Sequence, residues 1–152
     1  ARGMDTARNF PTTFCSRKKI HQQPASENET RALIRIFQEY GGRGLLVFCG
    51  YGKKVVYYRR DQNFSTGQRC YRLARHLKKC TRGKLEQLAI EREAQNGRRS
   101  TGRPEQYYGE MIRQPAFRIE LPVNSGNKEE EEREIRDLML LPLEYIYSLV
   151  QL

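Results

Sequence analysis

The period of the apolar pattern changes once between Gly44 and Lys84, and that change limits the folds open to the chain. Leu45 to Cys49 is a continuous apolar run, and Val55 to Tyr58 is a second. Gly50-Tyr51-Gly52-Lys53 between them has turn chemistry, so the stretch predicts a β-hairpin over about 44–59. A run that is apolar at every position also predicts a strand covered on both faces or set at the centre of a sheet. Beyond Ser65 the period lengthens. Cys70, Leu73, Ala74 and Leu77 recur at helical spacing and predict a helix over about 66–80 with one buried stripe.

The flanking segments extend this into an α+β fold: a small antiparallel sheet built on the central hairpin and packed by helices. Ser26 followed by Glu29 forms a capping-box pattern, and Ala32, Leu33, Ile36, Phe37 and Tyr40 share one face of a helix over about 27–40, stopped by Gly41. Upstream, Phe10 and Phe14 suit an N-terminal arm that docks through its rings. After the basic helix, Thr81 with Leu85, Leu88 and Ala89 predicts a further helix over about 82–95. Residues 97–106 are polar and rich in chain breakers and read as a flexible basic loop. Residues 107–112 and 116–121 read as two more strands. In the second, Phe117, Ile119 and Leu121 alternate with Arg118 and Glu120.

The last helix spans about 128–151. Its glutamates at 129–132 suit the positive end of a helix, and Pro142 is expected to kink it or restart it. Leu143, Ile146, Tyr147 and Val150 form an apolar face that needs cover, from the core or from a second copy of the chain. Ala1-Arg2-Gly3 precede Met4 and are set aside as an expression remnant, which leaves 4–152 as a single expected domain.

Charge is unevenly placed. Residues 1–40 carry a net +3, residues 41–103 a net +12 and residues 104–152 a net −5. The basic middle coincides with the predicted hairpin and helix, which points to a polyanion partner. On this reading Lys53, Lys54, Arg59 and Arg60 of the hairpin and Arg69, Arg72, Arg75, Lys78 and Lys79 of the helix contact phosphates, helped by Arg98 and Arg99 of the loop. Tyr51 and one of Tyr57 and Tyr58 stack on bases. The function expected is therefore non-catalytic nucleic-acid binding, RNA ahead of DNA. The alternatives are a protein-interaction module that docks or homodimerises through the C-terminal helix, and a small viral or regulatory protein that sequesters RNA.

The helix–hairpin–helix order resembles that of several RNA-binding modules, the double-stranded RNA-binding domain and the RRM among them, but the match fails in detail. The chain has no RNP-like octapeptide, and only two strands fit between Tyr40 and Ser65, so neither family is assigned.

No nucleophile elbow, metalloprotease helix or kinase signature is present, so no catalytic residue and no cofactor are expected. The only metal-type spacings are Cys15 with His21 and His76 with Cys80, the second pair four apart on one helix face. No apolar run reaches the length of a membrane span and no secretory leader is visible, so the expected compartment is cytoplasmic or nuclear, with the cysteines as thiols.

Overall fold

The computed structural model describes residues 9–12, 24–50, 52–58, 64–91, 102–121 and 126–151. In order the elements are α1 (Asn28–Tyr40), β1 (Leu45–Cys49), β2 (Lys54–Tyr58), α2 (Phe64–Cys80), β3 (Gln87–Glu91), α3 (Pro104–Tyr107) running into a π-helical turn (Tyr108–Ile112), β4 (Ala116–Glu120), α4 (Lys128–Leu138) and α5 (Leu141–Gln151). They make an α+β fold, a four-stranded mixed sheet in the order β1-β4-β2-β3 with helices packed on it.

The expected hairpin is split. β1 and β2 run in opposite directions, but β4 lies between them, parallel to β1 and antiparallel to β2. The link between β1 and β2 is held to the residue that follows β4. Gly52 donates its N–H to the Leu121 carbonyl at 3.2 Å, and Leu121 donates to the Cys49 carbonyl at 2.7 Å. A Cβ on Gly52 would press on the Glu120 side chain, whose carboxylate would have to move aside. Turn chemistry is local and reports only that the chain reverses. Which strand pairs with which depends on where Phe117 and Ile119 find cover, and both are fully buried in the gap between β1 and β2.

Two other expectations are corrected. Residues 87–91 form a strand parallel to β2, so β2, α2 and β3 make a βαβ unit in place of a second helix over 82–95. The reason lies in the preceding turn. Arg82 (φ 51°) and Gly83 (φ 89°) both adopt left-handed backbone. The Thr81 hydroxyl donates to the Lys78 carbonyl at 2.6 Å and accepts the Leu85 N–H at 3.2 Å. Thr81 thus closes α2 instead of opening a helix. Residues 107–112 are helical, not extended. Pro104 takes the first helical position and Glu105 follows in the first turn, which together are a helix-start pattern.

The C-terminal helix breaks at Met139–Leu140, just before Pro142, as its ring geometry requires. α1 keeps its expected span to within one residue, but its N-cap is Glu27, whose N–H donates to Asn9 Oδ1 at 3.2 Å. The Ser26 hydroxyl bonds to Asn9 and to Glu27 instead of capping.

One face of the sheet carries the main core. Val55 and Tyr57 of β2 and Phe117 and Ile119 of β4 pack against Cys70, Leu73, Ala74 and Leu77 of α2, Leu138 of α4, and Leu141 and Tyr145 of α5. The predicted α2 stripe is this contact. The other face meets α3 and an aromatic cluster in which Phe10 packs on Phe37 and Tyr107, and Phe37 meets Tyr108 edge-on at 5.2 Å. Phe10 therefore docks as expected. Phe14 lies outside the described residues. No helix among the described residues is long and apolar enough to cross a membrane.

Candidate metal centre

α2 runs from the end of the split hairpin across the sheet, and its last turn meets α5. His76 and Cys80, four residues apart, project from the same side of that last turn. Glu144 comes from the first turn of α5. His76 Nε2 is 3.3 Å from Cys80 Sγ, and the Cys80 thiol donates to Glu144 Oε2 at 3.8 Å. The three ligand atoms all lie within 4.8 Å of one another. Burial, and then the neighbouring Glu144 carboxylate, push the Cys80 thiol up from its ordinary range, while Lys79 opposes them.

The donor set fits a metal of the zinc class. Tetrahedral bonds of about 2.3 Å to sulfur and about 2.0–2.2 Å to nitrogen and oxygen place neighbouring ligand atoms roughly 3.5 Å apart, and the two spacings involving Cys80 bracket that value. His76 and Cys80 were legible as a pair from their spacing. Glu144 was not, because it lies 64 residues further on and joins them only through the packing of α5 on α2.

A second polar cluster occupies the opposite face of the sheet. Arg118 Nη1 donates to Glu105 Oε1 at 2.6 Å, and Arg118 Nε donates to Glu120 Oε1 at 3.3 Å. Arg103 approaches Glu105 at 3.9 Å. The Glu105 side chain is 2% exposed, Arg118 11% and Glu120 16%. Beside them, burial raises the Cys49 thiol, and Arg118 partly offsets it. Cys49 and Glu120 are register partners at the carboxyl ends of the parallel pair β1 and β4, the end of a strand at which ligands gather in open sheets with helical cover. The alternation of Arg118 and Glu120 was visible in the sequence. Their burial, and the partner Glu105, were not.

The residues expected to bind polyanion divide into three groups. Arg69, Arg72, Arg75 and Lys79 are exposed along α2, with Lys78 half-buried. Lys53 pairs with Glu86 at 3.5 Å, and Lys54 stands in register with Glu120 and Gln87. Tyr57 is 3% exposed and packs against Tyr71, so it presents no ring to a base. Tyr51, Arg59, Arg60, Arg98, Arg99, Cys15 and His21 lie outside the described residues, as does the Tyr58 side chain.

No family model matches the sequence. No curated protein matches it either. Solved structures do match in fold. The structure of bovine thrombin-activatable fibrinolysis inhibitor in complex with tick carboxypeptidase inhibitor superposes with a TM-score of 0.76 at 14% identity, over 98% of this chain and 57% of that chain. Carboxypeptidase A from Helicoverpa armigera superposes with a TM-score of 0.69 at 14% identity, over 93% of this chain and 41% of that one.

This likeness and the His76–Cys80–Glu144 cluster overturn the expectation of a non-catalytic, RNA-favouring nucleic-acid binder and of a viral or regulatory RNA-sequestering protein. The expected partners, nucleic acid or a second copy docked through the C-terminal helix, go with it. Density of surface cations in sequence does not by itself make a site, because a solvated helix face displays the same density. In fold the chain is like these two structures along nearly its whole length, and it spans about half of each.

Proposed function

We propose that the protein is a carboxypeptidase-like, metal-binding chain that acts on polypeptides, with a zinc-class ion held by His76, Cys80 and Glu144. The observation that carries this is the convergence of one imidazole, one thiol and one carboxylate from two helices within 4.8 Å. When bound, such an ion supplies Lewis acidity and an acidified water at its fourth position. One turn of α2 fixes the spacing of His76 and Cys80. Glu144 is exposed, so the solvent side of the cluster stays accessible. Polypeptide carboxy-terminal ends are the substrate class suggested by the likeness to carboxypeptidase A.

A second reading places the polypeptide at the carboxyl ends of β1 and β4. It is favoured by the gathering of Glu105, Arg118 and Glu120 there beside Cys49. The free thiols of Cys49, Cys70 and Cys80 support a reducing compartment, cytoplasmic or nuclear. The shared core supports residues 4–152 as one domain.

Cobalt titration tests the metal reading. One ion per chain and a thiolate-to-cobalt absorption band are expected, with the band lost in Cys80→Ser and the affinity reduced in His76→Ala. Because Cys80 must release its proton, affinity should rise with pH by roughly tenfold per unit below the thiol pKa. A peptide with a free carboxy terminus should be hydrolysed by the loaded protein and spared after chelation. Glu120→Gln in the same assay separates the readings: lost hydrolysis with unchanged cobalt binding favours the strand-end site. Failure to bind cobalt ends the metal reading.

A further inference from the structure

We propose that the outer surface formed by α2 and α5 docks the protein on a bilayer that contains anionic lipid, with α5 lying in the plane of the interface and the α2 cations on the headgroups. Both helices cover the same face of the sheet. Cys70, Leu73, Ala74 and Leu77 of α2 and Leu141 and Tyr145 of α5 point into one core. The helices lie against each other: Glu144 reaches Cys80 across the contact, and Arg69 is near enough to Tyr145 to act on its hydroxyl. Their outward faces are therefore neighbours.

α5 is apolar on both sides. Leu141, Tyr145 and Ser148 are buried, as a helix packed on a core requires. On the opposite side Leu143, Ile146, Tyr147 and Val150 recur at helical spacing and are between 59% and 81% exposed. Met139 and Leu140, in the turn before α5, extend the row. Glu144 is the only charged residue of the helix. A helix that is apolar all round is normally enclosed by protein or by lipid. The eleven residues of α5 rise only about 16 Å. That is too short to cross a hydrocarbon layer of roughly 30 Å, but long enough to lie along its boundary.

α2 supplies the charge. Arg69, Arg72, Arg75 and Lys79 are exposed along its outer side, and the helix holds no acidic residue. Among the described residues none of these four is paired with a carboxylate. Alone they would be a solvated helix face. Beside the bare aliphatic row they become its cationic rim, and large apolar patches with a polar rim mark docking surfaces. A leaflet of anionic lipid presents the two matching chemistries in layers, negative headgroups over hydrocarbon. An acidic polypeptide would answer the cations and leave the aliphatic row in water. Each cation at such a surface is worth roughly fivefold in partitioning, so the four together give on the order of several hundredfold. His76, Cys80 and Glu144 have no part in this contact, so it stands or falls apart from the metal site.

Flotation of the 152-residue chain with lipid vesicles tests the proposal. Binding is expected to mixed phosphatidylcholine–phosphatidylserine vesicles, roughly a hundredfold or more tighter than to phosphatidylcholine alone, and it should weaken as salt rises. The chain has no tryptophan, so Leu143→Trp provides a single reporter on α5. Its emission should shift to the blue on mixed vesicles and be quenched by brominated acyl chains. Ile146→Glu with Val150→Glu should abolish vesicle binding. Arg69→Gln with Arg72→Gln and Arg75→Gln should weaken it by roughly a hundredfold. Both variants should keep the thermal midpoint, since the side chains are exposed. No binding to mixed vesicles, equal binding to the two compositions, an unshifted tryptophan, or binding that either variant leaves unaltered would each overturn the proposal. Self-association, or binding to polyglutamate, in place of vesicle binding would do the same.

Discussion

β4 presents two chemistries on alternate residues. Phe117 and Ile119 face α2 and α5 and are held by apolar contact alone, while Arg118 and Glu120 face α3 and are held by charge. Both sets are buried or nearly so, but their energetics differ. Apolar burial is non-directional and stabilises in proportion to the area removed from water. A buried ion pair must first overcome the desolvation of both partners, so it contributes little net stability while being costly to break. The apolar face thus supplies the folding energy, and the charged face fixes how α3 sits on the sheet.

The largest effects should come from breaking one side of each face. Phe117→Ala and Arg118→Ala should each lower stability by about 3–5 kcal/mol in urea unfolding, the first through a cavity and the second by stranding Glu105 without its closest cation. A second change separates them. Arg118→Met with Glu105→Leu should recover part of that loss, because an apolar pair of similar size replaces the closest ion pair, while Glu120 still goes without its Arg118 partner. No such partner change exists for Phe117.

Alkaline pH probes the apolar face from a different side. Burial pushes the Cys70 thiol up to about 11 from an ordinary value of 9.0, partly offset by a backbone hydrogen bond at Ala116. The folded chain therefore favours the neutral thiol. That preference contributes nothing below the unfolded value and costs no stability there. As the pH rises from about 9 to about 11, the unfolded chain gains by ionising and stability should fall by on the order of 2–3 kcal/mol. Cys70→Ala should flatten this slope in unfolding curves taken across that range. An unchanged slope would show that the thiol titrates over the same range in the folded and unfolded chains.

Smaller changes sharpen the contrast. Ile119→Val removes one methylene from the core and should lower stability by about 0.5–1.5 kcal/mol. Thr30 is wholly buried on α1, and its hydroxyl has no hydrogen-bond partner among the described residues. Thr30→Val should leave the midpoint unchanged or raise it by up to about 1 kcal/mol, since an unsatisfied hydroxyl is replaced by a methyl of the same shape. Glu39→Ala, which removes an exposed partner of Arg35, should be within the error of the same measurement.

How much of this was readable in advance depends on the range over which each signal acts. α1, α2, β1, β2 and β4 fall within a residue or two of their expected spans, because periodicity and turn chemistry are properties of neighbouring residues. The break before Pro142 followed from one ring. The helix expected over 82–95 failed because Leu85, Leu88 and Ala89 suit a helix or a buried strand equally well, and the left-handed pair Arg82-Gly83 settled it. On α1 the apolar face was seen but its burial was not. Leu33, Ile36 and Tyr40 are 42%, 48% and 79% exposed, whereas Phe37 packs into the aromatic cluster. The site shows the same division: His76 and Cys80 share a helical turn, whereas Glu144 reaches them only through helix packing.

The sequence by itself determined the helical stripe of α2, the apolar runs of β1 and β2, the two-faced alternation of β4 and the cationic middle, since each is written in residues close enough to interact before the chain folds. Only the tertiary structure decided that β4 enters between β1 and β2, that Arg118 meets Glu105, and that Glu144 closes on His76 and Cys80. These pairings join segments far apart in the chain, and they form where buried area and satisfied charge together outweigh the entropy of closing the loops between them.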